Sequence, residues 1–359
     1  MEPSIEQALE QTGPVAPPVT ALDARLRQLL ALVERYRLLL AVCSFSLGAA
    51  SFFLMQHREH LAQWIALLLA LNWGLIVSEN TIGQWLARFR WARFSPRVLR
   101  YGMQAVHQQT FFFCLPFLFS STTWLSGQGA FTGLAVVAAL CTMWDPLYYG
   151  AIAPRPGLHL ALHAFAMYLA MLIVPTLLWH LTTTQSLGLA SATIGVLSLP
   201  SLARLIPRRS VGGWALLLGA AAGLGLLTWL LRGWVPPATL RLNQAQMTLS
   251  VDAATREPGA ALKRIGEDVL HRDGICAYTA IRAPRGLQER VFYRWMFHGQ
   301  EVARMPLEIN GGRKEGYRAW SCIKTFPENA AGRWTVRVVT DAGQMIGLLR
   351  FRVDPPAAQ

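Results

Sequence analysis

The sequence predicts a polytopic α-helical membrane bundle followed by an all-β, immunoglobulin-like sandwich. Three observations carry that expectation. Hydrophobic residues make up 53% of the chain and charged residues only 15%, against roughly a quarter charged in an average soluble chain. The charge deficit is concentrated in residues 38–235. From residue 236 onward the polarity is ordinary, and apolar residues alternate with polar ones as they do in half-buried strands.

A helix crosses a bilayer with about 20 apolar residues. Seven stretches meet that length: 38–56, 61–79, 103–125, 130–150, 158–180, 186–206 and 211–231. Ahead of them, Leu22, Leu26, Leu29, Leu30 and Val33 recur at helical spacing behind Thr20, a suitable N-cap. Residues 1–37 are therefore read as a tail and an amphipathic helix. They hold no short apolar run with a small-residue cleavage site, so the first span is expected to act as an uncleaved anchor. Arginine placement sets the orientation. Thirteen arginines flank one side of the seven spans and two, Arg58 and Arg232, flank the other. The N-terminus is thus expected in the cytoplasm and residues 236–359 on the opposite side.

The linker from Asn80 to Arg100 mixes Trp85, Phe89, Trp91 and Phe94 with five arginines. It suits the headgroup layer, with rings buried and guanidinium groups on anionic lipid. Pro116, Pro146, Pro175 and Pro200 each fall in a span and free the carbonyls of Phe112, Thr142, Met171 and Val196. Gly219 and Gly223 stand at GxxxG spacing, which favours close helix packing within the bundle or between protomers. The segment "WVPPATL" (Trp234–Leu240) reads as a stiff hinge before the β-domain.

The stretch "MWDPLYYGAIAPRPGLHLALHAF" brings ionisable groups into the apolar half. Asp145, His159 and His163, with His107 and Glu79, fall in one layer near the inner surface. A charge in a bilayer is costly, and its default reading is a site with a partner. Three readings follow. A metal site would use His159, His163 and Asp145. A proton or ion path would use Asp145, His107 and His163. A packing cluster would bond Asp145 to a histidine or to a tyrosine such as Tyr148. The residues favour the packing cluster, because no charged side chain lies in the middle of any span, although Asn72 does.

In the β-domain, "ERVFYRWMF" alternates Val291, Tyr293, Trp295 and Phe297, and "GRWTVRVVT" alternates Trp334, Val336 and Val338. About seven strands with Gly, Pro or Asn turns result. If Thr340 pairs with Met345 across "DAGQ", Trp334 faces Phe351, Arg333 faces Arg352 and Thr335 faces Arg350. Like charges placed opposite are unfavourable. The outer stripe Arg333, Arg337, Arg350 and Arg352 therefore invites an anionic lipid, glycan or protein, unless nearby glutamates balance it. Gly311 and Gly312, with Arg313, Lys314, Arg318 and Trp320, suggest a binding loop or a core tryptophan. Cys276 and Cys322 both fall in the exposed domain, where a disulfide persists if their strands bring them close. Cys43, Cys114 and Cys141 lie in spans.

No nucleophile elbow, P-loop, zincin or paired-cysteine zinc pattern is present, so no cofactor is expected. The net charge of +13 needs no nucleic acid, since the inner arginines explain much of it. The segments "RW…HGQEV", "GYRAWS" and "GRWTVRVVTDAGQMIG" resemble the bacterial domain of unknown function 2914. The membrane half is similar to domain of unknown function 5924. The resemblance implies a bacterial inner-membrane protein and supplies no functional residues. The expectation from the residues is a non-enzymatic anchor whose β-domain binds, senses or scaffolds an envelope component. The rival is a proton- or ion-linked transporter built on the Asp/His layer.

Overall fold

The computed structural model describes residues 95–207 and 209–356, with isolated positions between 28 and 46. The chain divides into two compact units, Met1–Cys43 and Ser44–Gln359. In the first, Gln28, Arg35, Leu39, Val42 and Cys43 are helical. The elements below belong to the second. The expected spans 38–56 and 61–79, with Asn72 and Glu79, lie outside the described residues, as does most of the Asn80–Arg100 linker.

The helical region begins with α1 (Ser95–Ser121), which passes through Pro116 without a break. Helix α2 (Gln128–Met143) stops at Trp144, whose backbone is extended (φ −95°, ψ 94°). The chain then turns by 91° into α3 (Asp145–Ile152). Pro146 explains the break. It has no N–H for the Thr142 carbonyl and its ring would meet the preceding turn, whereas the first turn of a new helix accepts it. The second half of α3, Tyr148–Ile152, is a π-turn closed by Ala153 N–H donating to the Tyr148 carbonyl at 2.8 Å. Helix α4 (Pro156–Trp179) is the buried centre of the region. Helix α5 (Thr183–Leu197) opens with a capping box between Thr182 and Gln185. Helix α6 (Leu199–Leu205) carries Pro200 in its first turn, and α7 (Val211–Leu230) is capped by the Ser210 hydroxyl.

Among the described residues two helices, Pro156–Trp179 and Val211–Trp234, are long and apolar enough to cross a membrane. A third span results if α2 and α3 count as one bent crossing. Two of the seven expected segments lie outside the described residues, and prolines cut two of the others. Pro146 divides 130–150, and the segment 186–206 is split at Ser198 into helices of 15 and 7 residues. Helix α1 is long enough, but Gln104, His107, Gln108 and Gln109 crowd its first half.

The anticipated Gly219/Gly223 contact does not form among the described residues, since both glycines face open space. The close crossing is made one face round, between Ser191 and Gly195 of α5 and Ala221 and Gly225 of α7. A Cβ on Gly195 would meet the Ala221 carbonyl oxygen at 2.9 Å, and one on Gly225 the Ser191 carbonyl oxygen at 2.9 Å. Small residues four apart on both helices let the backbones approach this far.

The C-terminal region holds eight strands: β1 (Arg241–Thr248), β2 (Arg264–Gly266), β3 (Ile275–Arg282), β4 (Gln288–Phe297), β5 (Gln300–Asn310), β6 (Tyr317–Ile323), β7 (Gly332–Thr340) and β8 (Met345–Asp354). A short helix α8 (Glu267–Asp273) follows β2. The strands form a three-stranded sheet, β1-β3-β6, and a five-stranded sheet, β2-β8-β7-β4-β5. Their inner faces share one core that includes Ile281, Ala319, Val291, Tyr293, Trp295, Trp334 and Phe351. Its polar atoms are paired across the core: Thr279 with Tyr293 at 2.5 Å, and Trp295 Nε1 to Ser321 Oγ at 3.1 Å. The β7–β8 register puts Trp334 opposite Phe351, Arg333 opposite Arg352 and Thr335 opposite Arg350. Nearer the turn the expected register slips. Val339, not Thr340, pairs with Met345, because Ile346 is an extra residue in a bulge.

The hinge expectation is overturned. Val235, Pro236, Pro237 and Ala238 are all buried, and Leu240 is fully so. The linker is packed between the two regions and acts as a fixed joint.

The α5–α7 crossing gives a first prediction. Gly195→Ala and Gly225→Ala should each destabilise the helical region by about 1–3 kcal/mol through overpacking. Gly219→Ala and Gly223→Ala should be neutral or slightly stabilising, because alanine is the better helix former. Thermal unfolding in detergent compares the four, and equal effects at all four positions would refute the crossing.

Candidate functional sites: a polar cluster, a buried joint and an arginine face

The polar cluster assembles where α1, α3 and α4 meet. His107 of α1 is fully buried. Its Nδ1 lies 3.2 Å from the Tyr148 hydroxyl and its Nε2 lies 3.3 Å from His163 Nδ1. The His159 ring centroid is 5.8 Å from that of His107. The π-turn turns Tyr148 inward onto this group, a placement such turns often serve at functional sites. Asp145 is held by a residue that charge-based reading passed over. Gln104 donates to Asp145 Oδ1 at 2.8 Å and to the Thr142 carbonyl at 2.9 Å, and accepts from the Tyr149 hydroxyl at 2.5 Å. Gln104 thereby satisfies the carbonyl that Pro146 frees. The structure thus brings His107, His159 and His163 together and ties Asp145 to the helix break beside them. Among the described residues no three His, Cys, Asp or Glu side chains are grouped to hold a metal ion. The ladder of His163, His107 and Tyr148 could relay a proton, and equally it satisfies buried polar atoms one against another.

The second feature is the joint between the helices and the β-domain. The tip of the β7–β8 hairpin, Asp341–Gln344, enters between the α1–α2, α4–α5 and α7–β1 connections. Gln128 donates to the Met345 carbonyl at 2.8 Å. Ala342 N–H donates to Thr184 Oγ1 at 3.1 Å, and its carbonyl accepts from Arg232 at 3.0 Å. Gln344 donates to the Val235 carbonyl at 3.2 Å. At the start of β4, Glu289 is 3% exposed and its carboxylate accepts from the Thr183 N–H at 2.7 Å. Burial pushes the Glu289 carboxyl up to about 7; the Thr183 hydrogen bonds oppose that rise and the charge of Asp341 adds to it. Glu289 was not singled out in the sequence. The signal was present, because it has the same parity as inward-facing Val291, Tyr293 and Trp295.

The third feature is the outer face of the five-stranded sheet. The sequence stripe Arg333, Arg337, Arg350 and Arg352 stands on β7 and β8, and the other strands extend it. Arg264 pairs with Arg352, Arg294 pairs with Arg337, and Arg304 pairs with Arg294. With Arg290, eight arginines share this face. Three carboxylates answer them. Asp354 lies 2.8 Å from Arg264 and 3.7 Å from Arg352, Glu301 is bonded to Arg294 at 2.5 Å, and Glu308 lies 3.7 Å from Arg290. The hydrogen bond from Arg264, with the charges of Arg264 and Arg352, holds the Asp354 carboxyl below the usual range. Among the described residues Arg333, Arg337 and Arg350 have no carboxylate partner. Arg304 lies over the Phe292 ring at 4.1 Å.

Two other expectations resolve at the edges of the domain. Cys276 and Cys322 are directly opposite on β3 and β6 and are joined, with Cα atoms 4.0 Å apart. The Gly311–Gly312 loop is not open for a ligand. A Cβ on Gly311 would collide with the Pro284 carbonyl oxygen at 1.8 Å, and Gly312 has φ 102°. These glycines let two loops touch, and Trp320 is half-buried beside them.

The chain belongs to the family of unknown function DUF5924, whose model matches residues 19–277. Residues 288–353 match a second model, the protein of unknown function DUF2914. No curated protein matches the chain. The boundary between the two matches falls inside the β-domain. Strand β6 of the second match pairs with β3, which begins in the first match at Ile275 and runs past its end at residue 277, and the Cys276–Cys322 bond joins the two matches directly. The C-terminal end of the first matched segment and the second matched segment are therefore parts of one β-domain.

Two predictions follow. A fragment of residues 288–353 leaves β6 without its neighbour and should lack cooperative unfolding by circular dichroism, whereas residues 238–356 should unfold cooperatively. For the joint, the docked carboxyl of Glu289 binds its proton more tightly than an exposed one near 4.5. Docking is therefore strongest below that value and weakens as pH rises through about 7, by up to about 1.4 kcal/mol per pH unit in the steepest part. Hydrogen exchange of the Thr183 segment between pH 5 and 8 should follow this trend in the wild type and stay flat in Glu289→Gln. An identical profile in both would exclude Glu289 as its source.

Proposed function

We propose that this protein is a multi-span anchor of a bacterial cytoplasmic membrane that presents an immunoglobulin-like β-sandwich on the far side, where the arginine face binds an anionic envelope component. The observation that carries the reading is the imbalance on one sheet face, eight arginines against three carboxylates, with Arg333, Arg337 and Arg350 unanswered among the described residues. Placing like charges in register costs stability, and an anionic ligand offsets that cost. Support for the location comes from the arginine bias of the loops and from the Cys276–Cys322 bond, which suits an oxidising compartment. Support for the sandwich class comes from the strand order, in which β4 supplies a buried Trp295 next to β7. The disulfide departs from the antibody pattern by joining neighbours within one sheet. Binding rather than chemistry is the role, with the helices as platform.

The rival, a proton- or ion-linked transporter, has the His163–His107–Tyr148 ladder beside a 91° helix break in its favour. One preparation tests both readings: the full chain, exported and reconstituted in zwitterionic lipid. Under the binding reading it retains a defined component of envelope extract, and replacing Arg333, Arg337, Arg350 and Arg352 by Ser lowers retention at least about 10-fold. Equal retention by the variant would sink that reading. Proton flux above protein-free vesicles that disappears in Asp145→Asn would establish the transporter instead.

A further inference from the structure

The arginine face is not uniform. Register gathers its unanswered charge into two groups. The first is Arg264, Arg352 and Arg333, adjacent across β2, β8 and β7. Its one carboxylate is Asp354. The second is Arg337, Arg294 and Arg304, adjacent across β7, β4 and β5. Its one carboxylate is Glu301. Three guanidinium groups against one carboxylate leave each group a net charge of about two. Arg333 and Arg337, the nearest members, are four residues apart on one strand, about 13 Å at ~3.3 Å per residue; the groups centre on Arg352 of β8 and Arg294 of β4, two strands apart, so their centres are about 16 Å apart. Arg350 stands between them, opposite Thr335.

We infer that the face is a two-pole receptor for a ligand that carries two phosphoryl groups about 16 Å apart, in the manner of a short sugar phosphorylated at both ends. This rests on the binding reading above and names its ligand class. Charge selects the phosphate. A phosphomonoester carries roughly −1.5 to −2 at neutral pH, which matches one pole, whereas a carboxylate would leave each pole half-answered. Geometry agrees, since guanidinium forks grip phosphate through paired N–H donors. Arg304, held over the Phe292 ring at 4.1 Å, is fixed on its apolar face with its edge donors clear. The first pole also stands about 23 Å along β8 from the joint at Met345. Headgroups of the protein's own bilayer would therefore meet the second pole before the first, and a bridging ligand must rise from that surface or arrive from elsewhere.

The test uses the full chain in nanodiscs of phosphatidylcholine. The probes are a disaccharide phosphorylated at both ends, the same sugar with one phosphate, the same sugar with two carboxylates, and inorganic phosphate. Two linked contacts should exceed one by about 100-fold. Arg333→Ser with Arg352→Ser, and separately Arg304→Ser with Arg337→Ser, should each reduce the bisphosphate to the affinity of the monophosphate. Arg272→Ser, on α8 outside the arginine face and paired with Asp273, should change nothing. Removing opposed like charges should leave the unfolding temperature unchanged or raised, which excludes misfolding as the cause. Equal binding of mono- and bisphosphate overturns the two poles but leaves an anion-binding face. Equal binding of the dicarboxylate overturns the choice of phosphate. Failure of every probe, together with failure to retain envelope material, overturns the binding reading itself.

Discussion

The arrangement depends on the satisfaction of polar groups at one buried joint. Backbone N–H and C=O groups shut away from water must find partners, and at the tip of the β7–β8 hairpin Gln344 is buried and Ala342 half-buried against three connections of the helical region, while Asp341 and Gly343 stay exposed. Its groups are answered from both sides. Gln128 reaches the Met345 carbonyl, Thr184 takes the Ala342 N–H, Arg232 takes the Ala342 carbonyl, and Gln344 returns a bond to Val235. Each bond contributes only about 1 kcal/mol net, but leaving a buried partner unmade costs more. Separating the two regions would break the set together unless water entered the joint. This is why a proline-containing linker that looks like a hinge behaves as part of the core.

The same rule shapes the helical region. Pro146 breaks the α2–α3 path and frees the Thr142 carbonyl, and Gln104 takes it while also holding Asp145. The Asp145 layer is therefore partly a consequence of the break. A side chain was needed to satisfy the freed carbonyl, and its second donor hydrogen fixes the carboxylate nearby. The histidine ladder follows the rule too, since His107 is answered by Tyr148 on one nitrogen and by His163 on the other.

The sequence made some of this legible, for identifiable reasons. Alternation with a period of two fixed the facing of Trp334 and Phe351 and of Arg333 and Arg352, because a one-residue slip would have exposed both aromatics. It did not reveal the bulge at Ile346, which adds a residue without disturbing the apolar pattern. Arg294 has the outward parity on β4, but its neighbour Arg304, and Arg264 beside Arg352, lie on strands whose order the sequence does not state. Glycine spacing pointed to the right helix and the wrong face, since Gly219 and Gly223 look like a packing motif and Ala221 and Gly225 make the contact. Proline effects on span continuity were visible as frequencies but not as a bend, because Pro116 and Pro175 lie inside intact helices while Pro146 follows a break. Neutral amides escaped notice because a search for ionisable groups passes over Gln104, Gln128 and Gln344.

The joint and the arginine face share one element. Arg333, Arg337, Arg350 and Arg352 stand on the two strands of the hairpin whose tip is locked into the helical region. Glu289 begins the strand next to it. Strands paired along their whole length do not stretch, so a load on the face reaches the joint without much loss in between. The face and the joint are thus connected through covalent and hydrogen-bonded contacts. A loosely tethered domain would bind its ligand without the helices sensing it. The buried linker makes that indifference the harder arrangement to build, and it gives the helical region a physical reason to be more than an anchor.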